Sequence, residues 1–212
     1  MLKLYTYFRS SAAFRVRIAL NLKGLAYEPS LVHLPKGEHR RPEYAAIDPQ
    51  ALLPTLVDGK RALSQSLAII EYLEETRPEP ALLPSDAAGR ARVRSLSLLV
   101  ACEIHPLNNL RTLQHLKRAL GQNEGEINAW YRHWIADGLA KFEADLERSG
   151  AGRFCHGDTP TMADCCLVPQ VFNAKRYSAD LGPYPTLMRV FEACMKLDAF
   201  DRAQPSKQPD AE

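Results

Sequence analysis

The segment Phe8-Arg9-Ser10-Ser11-Ala12-Ala13-Phe14-Arg15-Val16-Arg17-Ile18-Ala19-Leu20 sets two hydroxyls where a strand-like run ends and a helical pattern begins. The first turn of a helix offers backbone N–H groups without partners inside the helix, together with the positive end of its dipole. A thiol docked there is drawn toward its thiolate, and a serine hydroxyl can donate to the sulfur. The alternative is that Ser10 and Ser11 only cap the helix. Gln65-Ser66 repeats the arrangement at the head of another helix, where Ser66 and the free N–H groups can hold a small carboxylate or simply cap. Leu53-Pro54 lies between the two in the chain. A cis bond there would end a strand early and present the Leu53 backbone to a ligand. Among the basic residues, Arg9 directly precedes the hydroxyl pair, whereas Arg17 reads as part of a solvated face. His39 reads the same way. Several guanidiniums around one site would suit a dicarboxylate, because each can grip a carboxylate with two hydrogen bonds.

These residues need elements to position them. Residues 2–7 alternate and are rich in β-formers, which predicts a strand. Ser10-Ser11 then start a helix that runs through Leu22 and closes at Gly24. Residues 26–34 are extended, and Pro35-Lys36-Gly37 breaks the chain before a short helix at 42–47. Residues 52–57 form a strand whose early proline suits an edge or a strand end. Asp58-Gly59 predicts a two-residue hairpin turn into residues 60–63. Ser66 caps a helix from Leu67 to about Thr76. The order β-α-β-α-β-β-α makes residues 1–80 a small α/β domain.

Arg77-Pro78-Glu79-Pro80 stops that helix, and residues 81–89 read as a linker. Residues 90–212 carry only helical patterns, at about 87–120, 124–146, 161–177 and 186–197, so the second half is all-α. Pro106 predicts a kink in the first of these. Thr161-Met162-Ala163-Asp164 fits a capping box that organises a core and touches no substrate. The polar tail from Gln204 to Glu212 reads as loosely held.

Composition sets the outer bounds. The 212 residues are 46% hydrophobic and 25% charged with a formal net charge of +2, the balance of a globular protein rather than a disordered one or a phosphate-backbone binder. No apolar run approaches the roughly 18 residues of a membrane span, and the N-terminus enters a strand at once, which points to a cytoplasmic protein without a signal peptide. Five cysteines, an odd number with no CxxC, argue against a disulfide framework or a zinc site. Cys165 and Cys166 read as small core residues. No phosphate-cradling glycine loop, HExxH or calcium loop is present.

Ser10-Ser11 with Arg15-Val16-Arg17-Ile18-Ala19-Leu20 resembles the fingerprint of zeta-class glutathione transferases. The likeness continues through Leu53-Pro54-Thr55-Leu56, Gln65-Ser66-Leu67-Ala68-Ile69-Ile70-Glu71-Tyr72-Leu73-Glu74-Glu75 and His105-Pro106-Leu107. It reaches Thr161 to Asp164, Leu167-Val168-Pro169-Gln170 and Gln208-Pro209-Asp210, so it covers nearly the whole chain. The resemblance implies a thioredoxin-like domain followed by a helical domain, a homodimer, and glutathione as cofactor. It implies that Ser10 and Ser11 lie beside the glutathione sulfur, that Leu53 pairs through its backbone with the cysteinyl part, and that Gln65-Ser66 take the γ-glutamyl end. His105, Asn109 and Arg111 match positions that approach the ligand, and Arg9, Arg111 and Arg176 are the implied grips for a small dicarboxylic keto acid.

The implied reaction is cis–trans isomerisation: a thiolate adds to a conjugated double bond, the resulting single bond turns, and elimination returns the trans isomer. Maleylacetoacetate is the leading substrate, from tyrosine and phenylalanine breakdown, with maleylpyruvate as its sibling. Conjugation or dehalogenation of small α-halo acids stands as a further alternative, and a non-catalytic interaction module as a remote one. One departure is chemical. The family carries a cysteine directly after the two serines, and this chain has Ala12, so any mechanism that needs a protein thiol at that position is excluded.

Overall fold

The computed structural model describes residues 1–149 and 151–212 and divides into two compact units, 1–82 with 195–212, and 83–194. In the first unit, strand β1 (Leu2–Thr6) leads into helix α1 (Ser11–Leu22) and strand β2 (Tyr27–Leu31). After a 3-10 turn at Glu38–Arg40 come helix α2 (Pro42–Ala45), strands β3 (Thr55–Asp58) and β4 (Arg61–Ser64), and helix α3 (Ser66–Thr76). The sheet order is β2-β1-β3-β4, with β1 parallel to β2 and antiparallel to β3, and β3 antiparallel to β4. Alternation along β1 buries Leu2, Leu4 and Thr6 while Lys3 and Tyr5 stay half-buried. α1 packs against α3. Tyr7, Phe8, Val32, Tyr44 and Leu53 form a separate apolar cluster with Tyr5 and Leu34 at its margin.

The hairpin forms one residue later than Asp58-Gly59 predicts: Asp58 ends β3 and pairs with Arg61, so Gly59 and Lys60 make the turn, with Gly59 at a positive φ of 60°. β3 begins later than expected and lies inside the sheet. The preceding Leu53–Pro54 bond is cis, and Pro54 stands just before the first paired residue.

Three expectations are corrected here. Arg17 is fully buried rather than solvated. The β1–β2 ladder ends at Thr6, and Arg17 donates to the Tyr7 carbonyl at 3.4 Å and the Phe8 carbonyl at 3.2 Å just beyond it, as well as to Thr6 Oγ1 at 3.0 Å and the Ala203 carbonyl at 3.1 Å. Buried carbonyls need donors, and a guanidinium supplies five. His39 is also buried, at 8% exposure, within the 3-10 turn. The tail is held in place. A short helix (Asp198–Asp201) packs on α1, a 3-10 turn spans Pro205–Lys207, and Asp210 Oδ2 accepts from the Phe8 N–H at 2.9 Å. Residues 195–212 therefore belong by contact to the first unit, although the sequence reading groups them with the helical half.

The second unit contains helices α4 (Ala87–Leu98), α5 (Leu110–Arg118), α6 (Glu124–Ser149) and α7 (Met162–Arg176), with most of α8 (Pro185–Met195). The predicted long helix at 87–120 is interrupted rather than kinked. A π-helical segment, Leu99–Ile104, follows α4, and turn residues separate it from α5. Pro106 has no N–H to continue the ladder, which is the physical reason the helix stops. α6 passes close to the π segment at Gly138, where an added Cβ would fall 2.2 Å from Ile104 Cγ1. The capping box forms as expected: Asp164 Oδ2 accepts from Thr161 N and Thr161 Oγ1, each at 2.8 Å, while Oδ1 accepts from Cys155 N at 2.9 Å. Burial pushes the Asp164 carboxyl up, and these donors oppose that shift. Cys165 and Cys166 are fully buried and form no disulfide.

Candidate functional site

Strand register brings three loops to one end of the sheet. β1 ends at Thr6 and runs on to Ser10, whereas antiparallel β3 starts there, with Thr55 opposite Tyr5. Ser64, the last residue of β4, also pairs with Thr55 and leads into Gln65-Ser66. The Ser10 helix start, the Leu53-Pro54 segment and the Ser66 helix start thus share that end.

Ser10 is the N-cap of α1, in extended conformation, and its Oγ accepts from Ala13 N at 3.2 Å. A hydroxyl used as acceptor still has its hydrogen to donate. Ser11 is the first residue of α1 and is buried at 8% exposure. Arg9 is exposed, with its guanidinium 4.8 Å from the centre of the Phe8 ring.

Leu53 is buried with Phe8 in the apolar cluster. The β1–β3 ladder begins at Thr55, so the Leu53 N–H and C=O lie outside it. The approach to this segment is pinned from below. Buried Asp48 accepts from Gln50 N at 3.0 Å and Thr55 Oγ1 at 3.2 Å, and the Tyr44 hydroxyl donates to the Leu52 carbonyl and lies 2.8 Å from Thr55 Oγ1.

At the third loop the capping expectation is corrected. Gln65, at φ 69° and ψ 117°, is the N-cap and Ser66 the first helical residue. Such a φ is uncommon in a residue with a Cβ and tends to occur at functional sites. Ser66 Oγ accepts from Arg15 Nη1 at 3.2 Å, so its hydroxyl ties α3 to α1. Arg15 is 2% exposed, and its charge therefore sits beside the positive start of α3, where an anion would find both. Gln65 is exposed, with Nε2 2.5 Å from Gln50 Oε1.

The remaining predicted residues belong to the second unit. Asn109 is the N-cap of α5: its Oδ1 accepts from Arg111 N at 3.2 Å, and its Nδ2 is 3.3 Å from Nε2 of half-buried His105. Arg111 is exposed in the first turn of α5. Arg176 is exposed at the end of α7, 5.4 Å from the centre of the Tyr177 ring. Sequence reasoning missed Arg15 and Asp210 as parts of the first unit's site. Neither had a local signal: Arg15 meets Ser66 51 positions away, and Asp210 bonds to Phe8 across 202 positions.

The whole arrangement is an anion-receptive end of a small α/β sheet, with an extended backbone between two helix starts, and it matches a known family. The model of the glutathione S-transferase N-terminal domain matches residues 4–81, and that of the C-terminal domain matches residues 111–193. The chain belongs to the glutathione S-transferase family, in its zeta class. It is similar to a solved bacterial maleylpyruvate isomerase of that class, at 52% identity and a TM-score of 0.97, covering 99% of this chain and 100% of the other. Maleylacetoacetate isomerase of Rhizobium meliloti is 50% identical over 96% of each chain. The maleylacetoacetate isomerase of Anaeromyxobacter dehalogenans, solved with glutathione in its active site, is 49% identical with a TM-score of 0.90, covering 100% of this chain and 98% of the other.

Proposed function

We propose that this chain is a glutathione-dependent isomerase that converts maleylacetoacetate to fumarylacetoacetate. The observation that carries the reading is the meeting of the Ser10 helix start, the unladdered Leu53 backbone and the Gln65-Ser66 helix start at one sheet end. These groups fit a tripeptide thiol: hydroxyl and N–H donors for sulfur, a strand-like edge for a peptide, and a second positive helix start for a carboxylate. Glutathione, when bound, supplies the thiol whose anion adds to the conjugated double bond, frees rotation and leaves again. Ser10, aided by Ser11 and the α1 start, donates to the sulfur and favours its anion. Leu53 pairs through its backbone, and Gln65 and Ser66, with Arg15 behind them, hold the γ-glutamyl carboxylate. His105 and Asn109 steady the bound tripeptide. Arg9, Arg111 and Arg176 grip the two substrate carboxylates and offset the charge that develops on the keto-enol oxygen. Ala12 contributes no sulfur, so the reactive thiol is glutathione's alone.

In this reading the enzyme works as a cytoplasmic homodimer in tyrosine and phenylalanine breakdown. No helix among the described residues is long and apolar enough to cross a membrane. Maleylpyruvate is the second reading for the substrate, favoured by the 52% identity to a maleylpyruvate isomerase. The test mixes purified protein with each keto acid, with and without glutathione, and follows loss of the cis-enol absorbance. Faster glutathione-dependent turnover of maleylacetoacetate supports the proposal, faster turnover of maleylpyruvate supports the second reading, and silence with both contradicts an isomerase.

A further inference from the structure

Asp210 lies 202 positions from Phe8 in the chain, yet its Oδ2 accepts the Phe8 N–H at 2.9 Å, two residues before Ser10. The carboxylate also acts on the buried Arg17 guanidinium, whose charged form it favours. The same loop is held from a second direction. Arg17 donates to the Tyr7 and Phe8 carbonyls, and with Nε to Ala203 at the root of the tail. Ser10 N in turn donates to the Tyr7 carbonyl at 2.9 Å, which closes the turn onto the cap. The turn that aims Ser10 is thus clamped by one residue of α1 and one of the C-terminal tail.

We propose that Asp210 is a positioning residue for Ser10: the C-terminal tail acts as a strap that fixes the Phe8–Ser10 turn so that the Ser10 hydroxyl points at the sulfur of bound glutathione. The inference rests on the proposed role of Ser10 in activating that thiol. Small errors in aim weaken a directional donor steeply, so the strap acts on thiol acidity without touching glutathione.

The test measures the pKa of enzyme-bound glutathione by its ultraviolet thiolate band in the full-length wild type, Asp210→Ala, Asp210→Asn, Ser10→Ala and the Ser10→Ala/Asp210→Ala double variant. Asp210→Ala raises the bound thiol pKa by about half a unit, which below that pKa means about threefold less thiolate and a matching fall in kcat. Asp210→Asn keeps an acceptor oxygen and restores most of the difference, and it also serves as the probe of the charge if the alanine variant does not fold, with a smaller upward shift expected. In the Ser10→Ala background, Asp210→Ala adds nothing. An unchanged thiol pKa in both Asp210 variants, or additive shifts in the double variant, overturns the inference. If Ser10→Ala itself leaves the pKa unmoved, the thiolate role of Ser10 is what fails, and this proposal falls with it.

Discussion

Arg15 and Arg17, two positions apart on α1, both carry their charges into the interior, and each meets a different set of acceptors. Arg15 reaches Ser66 at the head of α3, whereas Arg17 satisfies carbonyls beyond the end of β1 and Ala203 in the tail. Burial lowers the Arg17 pKa to about 10, with Tyr27 and Asp210 opposing the shift, so it stays charged at neutral pH. Arg9, Arg111 and Arg176 are by contrast exposed, and they are the grips proposed for the dianionic substrate. Replacing Arg176 with alanine is expected to raise the KM for the keto acid about tenfold, the loss of one charged hydrogen-bonded grip of about 1.5 kcal/mol, with a smaller effect on kcat. Steady-state kinetics over a range of substrate concentrations checks it, and an unchanged KM removes Arg176 from the site.

At the scale of elements, the close passage of α6 over the π segment depends on the absence of a side chain at Gly138. Gly138→Ala forces Ile104 or the helix to move and is expected to destabilise the fold by about 1–3 kcal/mol, read as a lower denaturant midpoint. A gain in stability, as helix propensity alone would give, would contradict that packing. The turn before α2 carries a pH dependence. Burial, and then the nearby Arg40 charge, lower the His39 pKa from its usual 6.5. The unfolded chain therefore takes up a proton before the folded one does, so the stability present above pH 6.5 is lost as the pH falls through the folded value. The drop in Tm between about pH 7.5 and about pH 5.5 should be smaller in His39→Gln than in the wild type; equal drops would show that His39 does not contribute.

Across the whole molecule, what was legible in the sequence was what short-range chemistry specifies. The hairpin at Asp58-Gly59, the Ser10 cap and the Thr161–Asp164 box each place their partners within four residues, and each forms, the hairpin one residue later than expected. The division into an α/β half and a helical half follows from the period of the apolar pattern, whereas the thioredoxin-like architecture was implied by the resemblance to the family. Arg17, the Ser66 hydroxyl and the tail were misread for one shared reason: their partners lie 9 to 202 positions away, where no local pattern reaches. The π segment escaped because it spans only six residues, too few to show a period of its own, and Pro106 interrupts the helix two residues beyond it.

The central claim is that the reactive sulfur belongs to glutathione and not to the protein. Its most direct test compares isomerisation of maleylacetoacetate with glutathione against S-methylglutathione, which keeps the peptide and blocks the thiol. Turnover with glutathione and none with the methylated peptide, which should still bind and compete, is the predicted result. Equal turnover with both would contradict the account.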